Sequence, residues 1–185
     1  MRSRAVQGWK KSTSSYCKAL TSIEIPNSVV TIAGNAFENT GLIAVTIPNS
    51  VTSIGERAFA SCENLTSIVL SNSLKVIEKY LFALSENLSS VVIPNSVETI
   101  EEEAFAQCYA LGPSMVIPNS VTYIGVHAFS FCHGIESVVI GNSIAEIDEY
   151  AFWQCRFLTT TIVLATAVPQ MDHVNSFGWV NAHNN

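Results

Sequence analysis

Apolar residues in this chain follow one order, L-x-x-I-x-I, then V-x-x-I, then A-F-x-x-C, and the order returns in six matching copies. In the second copy these positions are Leu42, Val45, Ile47, Val51, Ile54, Ala58, Phe59 and Cys62. The I-x-I alternation is that of a strand with one face in and one face out. A fixed phrase follows it, at Ile25-Pro26-Asn27-Ser28-Val29, Ile47-Pro48-Asn49-Ser50-Val51, Ile93-Pro94-Asn95-Ser96-Val97 and Ile117-Pro118-Asn119-Ser120-Val121. Altered forms are Leu70-Ser71-Asn72-Ser73-Leu74 and Ile140-Gly141-Asn142-Ser143-Ile144. Proline has no N–H to give and so ends the strand ladder, while Asn and Ser bond nearby backbone and supply a turn. V-x-x-I predicts a second short extended segment, and A-F-x-x-C predicts a helical turn with small Ala beside bulky Phe.

Units aligned on this phrase begin at Leu20, Leu42, Leu65, Leu88, Leu111, Ile135 and Leu158, at intervals of 22, 23, 23, 23, 24 and 23 residues. A period of this length marks a repeat solenoid, a leucine-rich-repeat-like stack of ~23-residue units with a parallel β-sheet and short helical turns. No unit closes a core alone, so stability must come from stacked neighbours. Phe37, Phe59, Phe82, Phe105, Phe129 and Phe152 share one register and predict an inner spine of stacked rings. The two slips in period, near Gly41 and in Leu111-Gly112-Pro113-Ser114-Met115, fall just before a strand, where a loop absorbs them. The third unit departs most, with Ser71, Leu74, Glu78, Leu81 and Ser85 in the usual Pro, Val, Gly, Ala and Cys slots. Leu81 adds bulk that predicts local irregularity. The expected organisation is a basic, Ser-rich leader over 1–16, the solenoid over 17–164, and a worn last repeat or C-terminal cap over 165–185, where Phe177 arrives one residue late. The array begins in mid-unit at Cys17, which predicts an open edge.

Charge removes several function classes. Charged residues make up 13% of the chain and the net charge is −6. Arg2, Arg4, Lys10, Lys11 and Lys18 are five of the nine basic residues, which leaves the repeats acidic and argues against binding nucleic acid. No apolar run reaches the ~18 residues of a membrane span, so no membrane insertion is expected. The start lacks the apolar segment of a secretory signal; residues 1–16 have the composition of a transit peptide or of a solvated leader.

The pattern L-x-S-I-x-I-P-N-S-V-x-x-I-G-x-x-A-F-x-x-C, shown best by Leu42 to Cys62, resembles the BspA-like leucine-rich repeat family over roughly residues 17–164. The resemblance implies a curved solenoid with a parallel sheet along one face. It also implies a surface or extracellular protein of the adhesion or interaction-scaffold kind, with no catalytic residues and no cofactor to carry over. The chain itself shows no export signal, so location stays open between these.

Candidate chemistry along the units is sparse. Cys17, Cys62, Cys108, Cys132 and Cys155 occupy one slot that Thr40 and Ser85 fill elsewhere. An interchangeable Cys/Thr/Ser slot reads as small and half-buried rather than bridged or metal-binding. The Asn column (Asn27, Asn49, Asn72, Asn95, Asn119, Asn142) and the Ser column beside it read as a turn ladder satisfying the backbone of the next coil, with an ice-binding face as the alternative. Glu56, Glu78, Glu101, Glu102, Glu103, Asp148 and Glu149 gather before the A-F turn, where acids suit a helix N-terminus better than a cation. The four His residues share no register with one another, and no nucleophile elbow, phosphate loop or zinc pair is present, so no enzyme and no metal site is expected.

The outer face of the strands is the remaining candidate. Its outward positions are Glu24, Thr46, Val69, Val92, Val116, Val139 and Val163, preceded two residues earlier by Ser22, Ala44, Ser67, Ser90, Ser114, Ser137 and Thr161. From the third unit on, an apolar Val stripe flanked by Ser predicts an interaction surface, although Val also simply suits strands. The expected function is a non-enzymatic module that binds a protein or glycan through Val69, Val92, Val116, Val139 and Val163 with Ser67, Ser90, Ser114 and Ser137. The alternative is a structural scaffold that self-associates through its open ends.

Overall fold

A computed structural model describes residues 16–166, 169–171 and 176–177. Of the leader expected over 1–16, residues 1–15 lie outside the described residues, as does most of the tail beyond 171. Each repeat forms one coil of a solenoid with three laddered sides. The first side holds β2 (Ala44–Thr46), β4 (Ser67–Val69), β6 (Ser90–Val91), β8 (Ser114–Ile117), β10 (Ser137–Ile140) and β12 (Thr160–Val163). The second holds β1 (Thr31–Ile32), β3 (Ser53–Ile54), β5 (Val76–Ile77), β7 (Thr99–Ile100), β9 (Tyr123–Ile124), β11 (Glu146–Ile147) and β13 (Gln170–Met171). Every pairing is parallel and joins a coil to the next, as Ile68 opposite Val91 and Ile100 opposite Ile124 illustrate.

The expected helical turns are not there: no helix occurs among the described residues. The physical reason lies in two residues per coil that take left-handed φ, Arg57 (59°) and Ser61 (56°) in the second coil and their equivalents in the others. Each such residue breaks a right-handed run before it can propagate. Alternate N–H groups then serve different partners. Those of Arg57, Phe59 and Ser61 donate to Lys79, Leu81 and Ala83 of the next coil at 3.2, 3.0 and 2.8 Å. Those of Ala58 and Ala60 close local turns on Gly55 and Arg57 at 3.2 and 3.0 Å. The A-F-x-x-C segment is thus a third ladder built from turns.

Neither strand side is continuous. The first divides into β2-β4-β6 and β8-β10-β12. The division falls at the extra residue of 111–115, where Gly112 has φ 147° and the Gly112–Pro113 peptide is cis. In neighbouring coils the residue two before the strand core donates across the ladder, Ser89 to Thr66 and Glu136 to Pro113 at 3.0 and 2.7 Å. Pro113 holds that place in its own coil and has no hydrogen to give. The second side divides between β3 and β5, entering the irregular third coil.

Inside, the Phe spine forms as expected. Consecutive rings from Phe37 to Phe152 stack at 5.0–6.0 Å between centroids, and Phe177, despite its late position, continues the stack at 5.1 Å from Phe152. The widest spacing, 6.0 Å, separates Phe59 from Phe82. It falls at the coil where Leu81 fills the Ala slot, in line with the expected irregularity. Leu42, Leu65, Leu88, Leu111, Ile135 and Leu158 are all buried beside the spine.

Candidate functional site

On the first side, backbone alternation places Ile68, Met115 and Val138 inward and leaves the Val column outside. Val92 is 78% exposed, Val69 and Val116 each 59%, and Val139 is half-buried. Ser90 and Ser114 are exposed while Ser67 and Ser137 are half-buried, and the Ser114 and Ser137 hydroxyls share a hydrogen bond of 2.9 Å. One residue of the expected stripe is displaced. Val163 pairs with inward Ile140, not with Val139, and the residue opposite Val139 is Ile162. The last interval runs at 23 residues through the strand, so Ile162 takes the outward register and Thr160, not Thr161, lies opposite Ser137. Among the described residues β12 is the edge strand of its sheet; Ile162, Val163 and Leu164 are all exposed, and the apolar surface continues over them.

Between the outward column and the Pro-Asn turns run open troughs. One of about 360 Å³ crosses the break in the sheet and is lined by Val92, Ile93, Asn95, Val116, Ile117, Pro118, Asn119, Val139, Gly141 and Leu164. A second, of about 260 Å³, shares Val92 with it and extends to Val69, Asn72 and Pro94. A third of about 360 Å³ lies at the other end, against Glu24, Asn27, Ala44, Thr46 and Pro48.

The cysteine slot proves to be a hydrogen-bonding one. Cys62, Cys108, Cys132 and Cys155 donate from Sγ to the carbonyls of Phe37, Phe82, Phe105 and Phe129 in the preceding coil, at 3.1–3.2 Å. Ser85 does the same to Phe59 at 2.8 Å. Thr40 donates to Phe37 of its own coil at 2.9 Å. Cys, Ser and Thr interchange because each is short and carries a donor. Burial pushes all four thiols up from their ordinary range, Cys155 to about 12, so none is poised as a nucleophile. None is bridged, and Cys17 alone is exposed.

The Asn ladder is present in part. Asn49 and Asn119 accept from the N–H of Asn72 and Asn142 in the next coil at 2.9 and 3.0 Å. The Ser column differs from expectation: Ser73 donates to Asn49 at 2.8 Å, but the hydroxyls of Ser50, Ser96 and Ser120 are buried without a partner among the described residues. Those three follow Pro-Asn, whereas Ser73 follows Ser71-Asn72.

With no helix, a helix dipole does not explain the acids. Glu102 accepts from Lys79 at 3.0 Å and from the Tyr80 hydroxyl at 2.9 Å, and these bonds hold its carboxyl below the usual range. Asp148 accepts from Tyr123 at 3.0 Å. Burial, then the charges of Glu101 and Glu56, raises Glu78. No group of three or more His, Cys, Asp or Glu able to hold a metal occurs among the described residues.

The third side carries a cluster that sequence reasoning missed. Tyr109 stacks on His133 and His127 on Tyr150, each at 5.1 Å, while Phe131 and Trp153 meet edge to face at 4.9 Å. Burial, then the Arg156 charge, lowers the His133 pKa. The signal was available. His127 and Tyr150 both stand two residues before the spine Phe, and Tyr109 and His133 both stand four after it. Aligning variable positions, not His with His, finds both stacks.

The sequence matches the model of the BspA type leucine rich repeat region in six copies, over residues 10–112 and 112–174. Among solved structures, a leucine rich repeat protein of T. pallidum is 32% identical with a TM-score of 0.72, covering 77% of this chain and 67% of its own. A leucine-rich repeat protein from Bacteroides ovatus is 27% identical with a TM-score of 0.66, covering 86% of this chain and 52% of its own. The chain thus spans between half and two thirds of the length of these two proteins. No curated protein matches it.

Proposed function

Because this chain belongs to the BspA-type leucine-rich-repeat family, we propose that it is a non-enzymatic interaction module that binds through the outer face of its first strand side. The observation that carries this reading is the exposed apolar column of Val69, Val92 and Val116, set beside troughs that carboxamides line. Singly exposed Val needs no explanation, but a contiguous apolar surface continuing to Ile162 and Leu164 is unusual for a face turned to water. The function we propose is adhesion or another surface-type contact with a protein or glycan. The test is binding to immobilised matrix proteins and a glycan array by the native chain and by a Val92→Lys, Val116→Lys variant. Binding by the native chain that the variant loses supports the proposal; equal binding by both removes the face from consideration.

A second reading has an observation of its own. Strand β12 is the edge of its sheet among the described residues, and all four of its residues are exposed. Such an edge pairs readily with another chain, so the module would also assemble end to end. Sedimentation at rising concentration tests this: association abolished by Ile162→Lys supports it, and a monomer at all concentrations rejects it.

A further inference from the structure

Resting on the proposed binding face, we infer that its occupant is an extended peptide segment, aliphatic along its length and basic at one end, laid across the coils with the basic end at Glu24. The troughs run along the solenoid axis, since Val92 lines both that of Val69 and that of Val116. Their chemistry is narrow. The walls are Val, Ile, Leu and Pro, and the polar groups are carboxamides and Ser hydroxyls; no side chain in these two troughs is ionisable. A polyanion requires cationic lining, which is absent, and no aromatic ring offers a sugar a platform. A carboxamide presents donors and an acceptor together, matching a peptide group. Asn95 is exposed and makes no hydrogen bond to the described residues, so its carboxamide is free to do this.

Charge sets the direction. Glu24 is the one ionisable residue lining any of the three troughs, and the chain as a whole carries −6. From Glu24 to Val139 there are five coil-to-coil steps of ~4.8 Å, roughly 24 Å in all. That distance is the reach of about seven extended residues.

The experiment uses fluorescein-labelled heptapeptides of alternating Val and Ser, capped at both ends, carrying Lys, Gln or Glu at one end only. Anisotropy is read with the native chain and with the Glu24→Gln, Glu24→Lys and Val92→Lys, Val116→Lys variants. The expected result is saturable binding in which a Lys end is favoured over a Glu end about three- to fivefold, as for an exposed ion pair. Glu24→Gln should erase that preference and Glu24→Lys reverse it, while the double variant should lose binding. No binding up to millimolar peptide overturns the inference, as does a charge preference that Glu24→Lys leaves unchanged. If protein or glycan capture still depends on Val92 and Val116 in that case, the proposed function stands without the peptide. If neither peptide binding nor capture responds to the double variant, both fall.

Discussion

Substitution of Cys132 separates two accounts of the repeat's Cys slot. On the packing account the slot is small and apolar, so Val or Ala should serve and a buried hydroxyl should cost ~1–3 kcal/mol. The structure makes it a donor slot. Cys132 is fully buried and its Sγ lies 3.2 Å from the Phe105 carbonyl, which also accepts the Cys108 N–H at 3.1 Å. Cys132→Ser keeps the donor, in the geometry that Ser85 already shows at 2.8 Å, and should cost less than about 1 kcal/mol. Cys132→Ala loses the bond, worth about 0.5–1.5 kcal/mol, and leaves the space of one sulfur, worth about 1 kcal/mol more; the sum is ~1.5–2.5 kcal/mol. Cys132→Val fills that space without a donor and presses a second methyl toward the neighbouring coils, for ~1–3 kcal/mol. The assay is urea unfolding followed by far-UV circular dichroism, comparing midpoints at unchanged slope because repeat arrays lose cooperativity. Ser should be the mildest of the three. A Ser variant less stable than Ala would refute the donor account.

Two further outcomes follow from the same structure. Burial raises the folded pKa of Cys62, Cys108, Cys132 and Cys155 above the ordinary thiol value of 9.0. The neutral thiol therefore stabilises the fold fully below about pH 9. Above that the unfolded chain sheds protons that the native one keeps, so stability falls as pH rises, by up to ~1.4 kcal/mol per pH unit for each thiol. Urea midpoints from pH 7 to 11 should decline less steeply in a Cys108→Ser, Cys132→Ser variant; parallel curves would exclude the thiols as the cause. At the break in the first side, Gly112 has φ 147° and a Cβ placed there would collide with the Gly134 carbonyl of the next coil. Gly112→Ala should lower stability by ~2–4 kcal/mol, read as a drop in calorimetric Tm, and an unchanged Tm would contradict this placement of the inserted residue.

Much of the fold was legible because one coil is a complete local problem. The register of Phe37 through Phe152 and the inward Leu column follow from a period of about 23 residues, and stacking can satisfy that period in only one way. The A-F-x-x-C segment was less legible. Apolar spacing there suits a helical turn, and nothing in Arg57, Tyr80 or Glu103 announces left-handed φ as a Gly would. Ladder bonds to the adjacent coil hold these residues there, and such partners are invisible to a pattern read along one unit. The candidate face was legible through Val139 and slipped by one at Val163, because Thr160-Thr161-Ile162-Val163-Leu164 offers two alternations and only pairing with β10 chooses between them.

The sequence by itself determined the family, the coil length and the buried spine, since each is a periodic property repeated six times, and it determined the outer Val column over the four coils from Val69 to Val139. Tertiary structure alone decided what lies between coils. It divides the sheet at Pro113, where one N–H is missing, and it turns Cys and Ser into equivalents through the Phe carbonyl of the preceding coil. It also brings Tyr109 onto His133 and His127 onto Tyr150 from residues a full repeat apart. Contacts between coils depend on the side chain one period away, and that distance is where a local reading of polar and apolar positions ends.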